Sequence, residues 1–241
     1  MTRTSTAPRT HRWPWKALTR SVLSLALLLT AGACATDPPT PAWRSEAKAW
    51  LDTAVDSYLR GDTRAADAAL SHARRDVASS GRLDLAARVE LAWCAARIAS
   101  TVYESCTGFE PLRADARQAS HAYAAYLEGR IEPAAIHRLP EAQRAFAAGQ
   151  LDSTAAAAQL RTVTDPLSRL VAIGVLFRRG RADVEVISIA IETASERGWR
   201  RPLLAWLKIQ VTALERAGKQ QEASTLRRRI ELVEKGVLTP P

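Results

Sequence analysis

Apolar residues recur at three- and four-residue intervals along most of this chain, and glycines interrupt the recurrence at near-regular distances. Gly61, Gly81, Gly108, Gly129, Gly149, Gly180, Gly198, Gly218 and Gly236, with Asp165-Pro166, divide it into stretches of mostly one to two dozen residues. A glycine just past the last apolar position is the commonest way for a helix to stop. The pattern predicts helices over 42–60, 63–79, 83–103, 110–128, 139–148, 152–163, 166–179, 182–197, 200–217 and 219–235. Helices joined by turns this short pack antiparallel against their sequence neighbours. The 3.6-residue period also assigns faces. Trp50, Ala54 and Tyr58 line the first helix, Ala66, Leu70 and Ala73 the second, and Leu85, Val89, Trp93 and Ala96 the third. Leu203, Leu207, Val211 and Leu214, widened by Leu204, Trp206 and Ile209, mark a deeply buried helix near the C-terminus.

One stretch reads differently. Val184 to Ile191 is β-branched and partly alternating, which is a strand signature. It has no partner strand, and it runs into a good helix sequence that ends before Gly198. A lone strand leaves its backbone unpaired, so the expectation is a buried helix. Composition agrees, since the chain is rich in Ala, Leu, Arg and Glu and only 6% aromatic. The expected fold class is all-α, built of antiparallel helix hairpins in one domain over 42–241.

The first 41 residues fall outside this pattern. Arg3, Arg9, Arg12, Lys16 and Arg20 lead into an apolar run from Ser21 to Leu29, followed by Ala31, Gly32, Ala33 and Cys34. A basic start, a short apolar core and a small-residue cut site make an export signal. As a helix, Ser21 to Ala33 would span about 20 Å against roughly 30 Å of bilayer hydrocarbon, which is too short for a lasting span. The small residues before Cys34 resemble the lipobox of bacterial lipoproteins, although Ala31 stands where that family prefers Leu. The resemblance implies that 1–33 is a lipoprotein signal peptide, that Cys34 is acylated and becomes the mature N-terminus, and that Ala35 directs the protein to the outer membrane. Ala31-x-Ala33 and Ala33-x-Ala35 also suit the general signal peptidase, which would release the chain into the periplasm. Residues 34–41, with Pro38, Pro39 and Pro41, form a stiff polar tether.

Removing the leader changes the charge balance. The formal net charge of +9 includes five basic and no acidic leader residues, which leaves 29 basic against 25 acidic in the remainder. Arg74-Arg75, Arg178-Arg179, Arg200-Arg201 and Arg227-Arg228-Arg229 persist as local clusters. An exported domain meets little nucleic acid, so an acidic partner or an anionic surface is the sensible target. Trp199 beside Arg200-Arg201 is the aromatic best placed to sit at a rim, and Trp199, Arg200 and Arg201 are the candidate partner-binding residues.

Assigning Cys34 to lipid leaves Cys94 and Cys106 as an even pair in an oxidising compartment. An unbroken helix would hold their Cα atoms about 18 Å apart, and bridging needs less than about 7 Å. A disulfide therefore requires the chain to turn back around Ser100 to Glu104; the alternative is two unpaired thiols with Cys94 buried.

Trp50, Gly61, Ala66, Leu70 and Ala73 fall at spacings that resemble the tetratricopeptide repeat, with Ala54 and Ser57 at that pattern's first-helix Gly and Tyr positions. Leu207, Leu214, Gly218 and Ala223 echo it near the end, and Gly149 with Pro166 echo its later portion. In that family an aromatic opens one helix, a Gly makes the turn and small residues let the next helix pack closely. The resemblance implies a tetratricopeptide-like solenoid whose groove takes a peptide or helix.

Candidate chemistry is sparse. His72, His121 and His137 stand alone, with no HxxxH, HExxH or CxxC. Neither a GxSxG turn nor a glycine-rich phosphate loop occurs. The expectation is no enzyme, no metal, no cofactor, no small-molecule substrate and no nucleic acid. The expected function is a membrane-anchored periplasmic interaction scaffold that binds an envelope protein through a helical-repeat groove. The alternative is a cell-wall- or anionic-lipid-associated protein docking through a basic helix face. An apolar groove favours the first, a stripe of arginines along one face the second.

Overall fold

The computed structural model describes residues 41–236. The leader, Cys34 and most of the proposed tether lie outside the described residues. The described residues are mostly helical: α1 (Ala42–Arg60), α2 (Thr63–Ser79), α3 (Leu83–Ala99), α4 (Gln118–Leu127), α5 (Glu141–Ala148), α6 (Ser153–Thr162), α7 (Pro166–Arg178), α8 (Val184–Glu196), α9 (Arg200–Arg216) and α10 (Gln220–Lys235). Two 3₁₀ helices, Glu110–Asp115 and Pro133–Arg138, lie between them, and no strand occurs among the described residues.

Local chemistry sets most of the boundaries. Asp62, Asp152, Asp165 and Asp183 each accept a hydrogen bond from the backbone N–H three residues on, at 2.7–3.0 Å. These carboxylates satisfy a free donor in the first turn of α2, α6, α7 and α8 and complement the positive end of the helix dipole. At the end of α1, Gly61 takes φ +96° while its N–H and that of Asp62 bond back to Tyr58 and Ser57. The Asp183 cap helps α8 begin at Val184, and the β-branched stretch is helical, with Val186, Ile189 and Ala190 almost wholly buried. The local strand preference yields to packing.

Three boundaries differ from the sequence pattern. The third helix stops at Ala99 rather than running to 103, because Thr101 turns into the left-handed region at φ +62°. Thr101 and Val102 donate back to Ile98 and Arg97 at 2.9 Å, the bonding of a helix stop normally built on glycine. The segment 110–128 is not one helix. Its first part is 3₁₀, and extended backbone at Ala116 and Arg117 separates it from α4. Burial of Phe109 at 0% exposure, with Leu112 and Ala116 packed on the core, holds this part to the helix bundle. The second 3₁₀ turn occupies 133–138, outside every predicted helix. Trp50 also departs from expectation: it is 39% exposed and stacks on His72, with ring centroids 4.4 Å apart.

Sequence neighbours pair as hairpins at both ends, α1 with α2 and α9 with α8 and α10. The middle is organised around α3, whose main partner is the distant α7. A Cβ at Gly174 would come within 2.6 Å of the Ile98 carbonyl oxygen, so this crossing admits no side chain there. Tyr103 donates to the Gly174 carbonyl at 3.1 Å, and the Trp206 indole N–H donates to Ala99 at 3.0 Å. Deeper still, the Tyr126 hydroxyl donates to Gln143 at 2.5 Å, and the Gln143 amide donates to the Ser168 carbonyl at 2.9 Å. This chain of bonds joins α4, α5 and α7 inside the core, where an unpaired amide would be costly.

Candidate binding groove

Between α3, α4 and α7, and beneath the end of the second 3₁₀ turn, lies an open cavity of about 610 Å³. Cavities of roughly 300–1,000 Å³ are the usual size of binding clefts. Leu91, Ala92 and Ala95 of α3, Leu167 and Val171 of α7, and Leu139 give it an apolar floor. These residues share a wall because of helical periodicity: 91, 92 and 95, like 167 and 171, recur at three- and four-residue steps. Ser120 and Tyr123 of α4 add two hydroxyls, and neither makes a side-chain hydrogen bond within the described residues. Burial pushes the Tyr123 phenol above its ordinary range, and the nearby Asp165 carboxylate pushes it the same way, so it stays a neutral donor.

Three exposed arginines border the floor: Arg88 on α3, Arg117 at the start of α4, and Arg138 at the end of the second 3₁₀ turn. Arg117 pairs with Asp84 at 3.0 Å. That carboxyl is held below its ordinary range chiefly by the hydrogen bond from Arg82, which together with the charges of Arg82 and Arg117 outweighs the opposing effect of burial. Arg88 and Arg138 have no ion-pair or hydrogen-bond partner among the described residues. Among the described residues no acidic one lines the groove.

The sequence-predicted residues are placed elsewhere. Cys94 and Cys106 lie at disulfide-bonding distance, with Cα atoms 5.6 Å apart, because the Thr101 turn brings the chain back on itself. Trp199 lies inside rather than at a rim: it is 6% exposed, and its indole N–H donates to Asp56 at 2.9 Å. Arg201 donates to the Tyr58 carbonyl at 2.7 Å and to the Thr63 hydroxyl at 2.8 Å, with its guanidinium 4.2 Å from the centre of the Tyr58 ring. Arg200 donates to the Val233 and Glu234 carbonyls at the end of α10. The doublet at 178–179 behaves alike, with Arg178 on Leu127 and Arg179 on Ala147, the ends of α4 and α5. Guanidinium donors meet the negative ends of other helices and satisfy carbonyls that the helices leave free.

Arg88, Arg117, Arg138, Ser120 and Tyr123 were not singled out in the sequence, and nothing local marks them. They are scattered residues on three elements, gathered only by the tertiary packing. Adjacent arginines draw the eye, yet neighbours on a helix point about 100° apart and do not form a patch. Among the described residues no three metal-ligating side chains cluster, and no helix is long and apolar enough to cross a membrane. Compared with protein-family models, curated proteins and solved structures, the chain matches none.

Proposed function

We propose that this protein is a lipid-anchored interaction scaffold of the bacterial envelope, tethered through Cys34 and facing the periplasm, and that the groove between α3, α4 and α7 is its working surface. One observation carries the reading: an apolar floor open to solvent, bordered by arginines of which two have no partner among the described residues. Unpaired cations at a rim steer an approaching partner, and apolar floor area supplies the affinity. Helix hairpins α1–α2 and α9–α10 carry the tetratricopeptide-like spacings, and we read them as the two ends of a short, irregular helical-repeat stack. The alternative, docking of a basic helix face on anionic polymer or lipid, has less support. Arg200, Arg201, Arg178 and Arg179 are engaged internally, and Arg227 pairs with Glu215.

Two measurements test the reading. Metabolic labelling with a clickable fatty acid should mark the wild-type protein and not Cys34→Ser. An unlabelled wild-type protein in the soluble fraction would refute the anchor. Affinity capture from detergent-solubilised envelopes should lose its partners when Ala119→Trp, an exposed position on the groove wall, fills the cleft. A partner list unchanged by that substitution would place the working surface elsewhere.

A further inference from the structure

We propose that the groove takes a peptide segment of a partner protein whose apolar side chains are flanked by acidic ones; this rests on the reading of the groove as the working surface. Three features define the occupant. The floor of Leu91, Ala92, Ala95, Leu139, Leu167 and Val171 is apolar, so the occupant buries apolar side chains there. Its border carries arginines from three separate elements and no lining acid, so the complementary charge is negative and spread along the segment rather than held in one headgroup. The hydroxyls of Ser120 and Tyr123 have no hydrogen-bond partner among the described residues.

Those hydroxyls decide between a peptide and an acyl chain. A hydrocarbon tail lying on the floor would strip both of water and offer nothing in exchange, which is unfavourable for each. A peptide brings backbone carbonyls and N–H groups at short intervals and satisfies them. Arg117 is already paired with Asp84, so Arg88 and Arg138 are the two positions with unmatched charge to give. Because they hold no other described residue, they can be reversed without loosening the fold.

The test uses the full chain in detergent micelles and fluorescence anisotropy with two labelled peptides. One alternates Glu with Leu and Phe; the other carries Lys in place of every Glu. The acidic peptide should bind at least about tenfold tighter than the basic one. Arg88→Glu combined with Arg138→Glu should remove that preference, weakening the acidic peptide at least about tenfold while the thermal midpoint stays unchanged. Ala119→Trp should weaken both peptides. Equal binding of the two peptides overturns the proposal. So does binding of oleate without the acidic peptide, which would mark a site for a single-chain amphiphile. Capture on phosphatidylglycerol vesicles through Arg88 and Arg138, with both peptides ignored, would mark a membrane contact and overturn it equally. The envelope capture separates the two readings: partners lost in Ala119→Trp alongside peptides that bind equally leave the groove as the working surface and refute only the acidic chemistry.

Discussion

Thr101 is the residue on which the organisation of the middle of the chain turns. A β-branched side chain at φ +62° is strained, because the left-handed region crowds Cβ against the backbone. Replacing Thr101 by Gly should therefore stabilise the protein by about 1 kcal/mol, read as a raised denaturation midpoint in urea. A destabilised variant would show that the threonine side chain does more than tolerate the turn. At this scale the sequence was legible where a residue's own chemistry sets its conformation, as at the Gly61 stop and the Asp165-Pro166 break. It was silent at Thr101, where the local preference of the residue points away from the conformation it adopts. It misled at Trp50, since a 3.6-residue period names a face but cannot say how far the neighbouring helix covers it.

At the scale of elements, α3 is held by two different devices. Near its C-terminal end Cys94 lies at disulfide-bonding distance from Cys106, and a bond between them would close a short loop containing the Thr101 turn. The freshly isolated, denatured protein should carry no alkylatable thiol at Cys94 or Cys106. Cys94→Ser with Cys106→Ser should lower stability by about 2–3 kcal/mol, the order expected for a loop of this length. Free thiols at both positions would refute the pairing. On its side, α3 meets α7 so closely at Gly174 that no Cβ fits against the Ile98 carbonyl. The sequence offered the parity of the cysteines and the need for a reversal near Ser100 to Glu104, and the reversal is there. It offered nothing for the α3–α7 crossing, since Gly174 inside an apolar helix gives no hint of which backbone it approaches. The groove was invisible for the same reason: α3, α4 and α7 each carry part of it, and only their crossing makes a floor.

Across the whole molecule, the two terminal regions meet. The Trp199 indole on Asp56 and the Arg201 guanidinium on Tyr58 join the start of α9 to the end of α1. Burial pushes the Asp56 carboxyl upward, but the hydrogen bonds from Trp199 and Arg60 and the charges of Arg60 and Arg197 outweigh it, so its pKa lies below the ordinary 3.8. A depressed carboxylate contributes stability that is fully present above the unfolded value and is lost as pH falls through the folded one. The wild type should therefore exceed Asp56→Asn in stability at neutral pH, on the order of 0.5 kcal/mol for so exposed a group. That margin should shrink in denaturant titrations carried below pH 3.8. A margin unchanged by acid would mean that the indole bond does not depend on the charge. The same joint has a consequence for how the chain assembles. Trp199 and Asp56 lie 143 residues apart, whereas α1 meets α2 across a turn of two residues. The short-range pair can form as soon as it is made, but its outer end stays unfastened until α9 has emerged, so synthesis proceeds with that edge open and the last fifth of the chain acts as its latch.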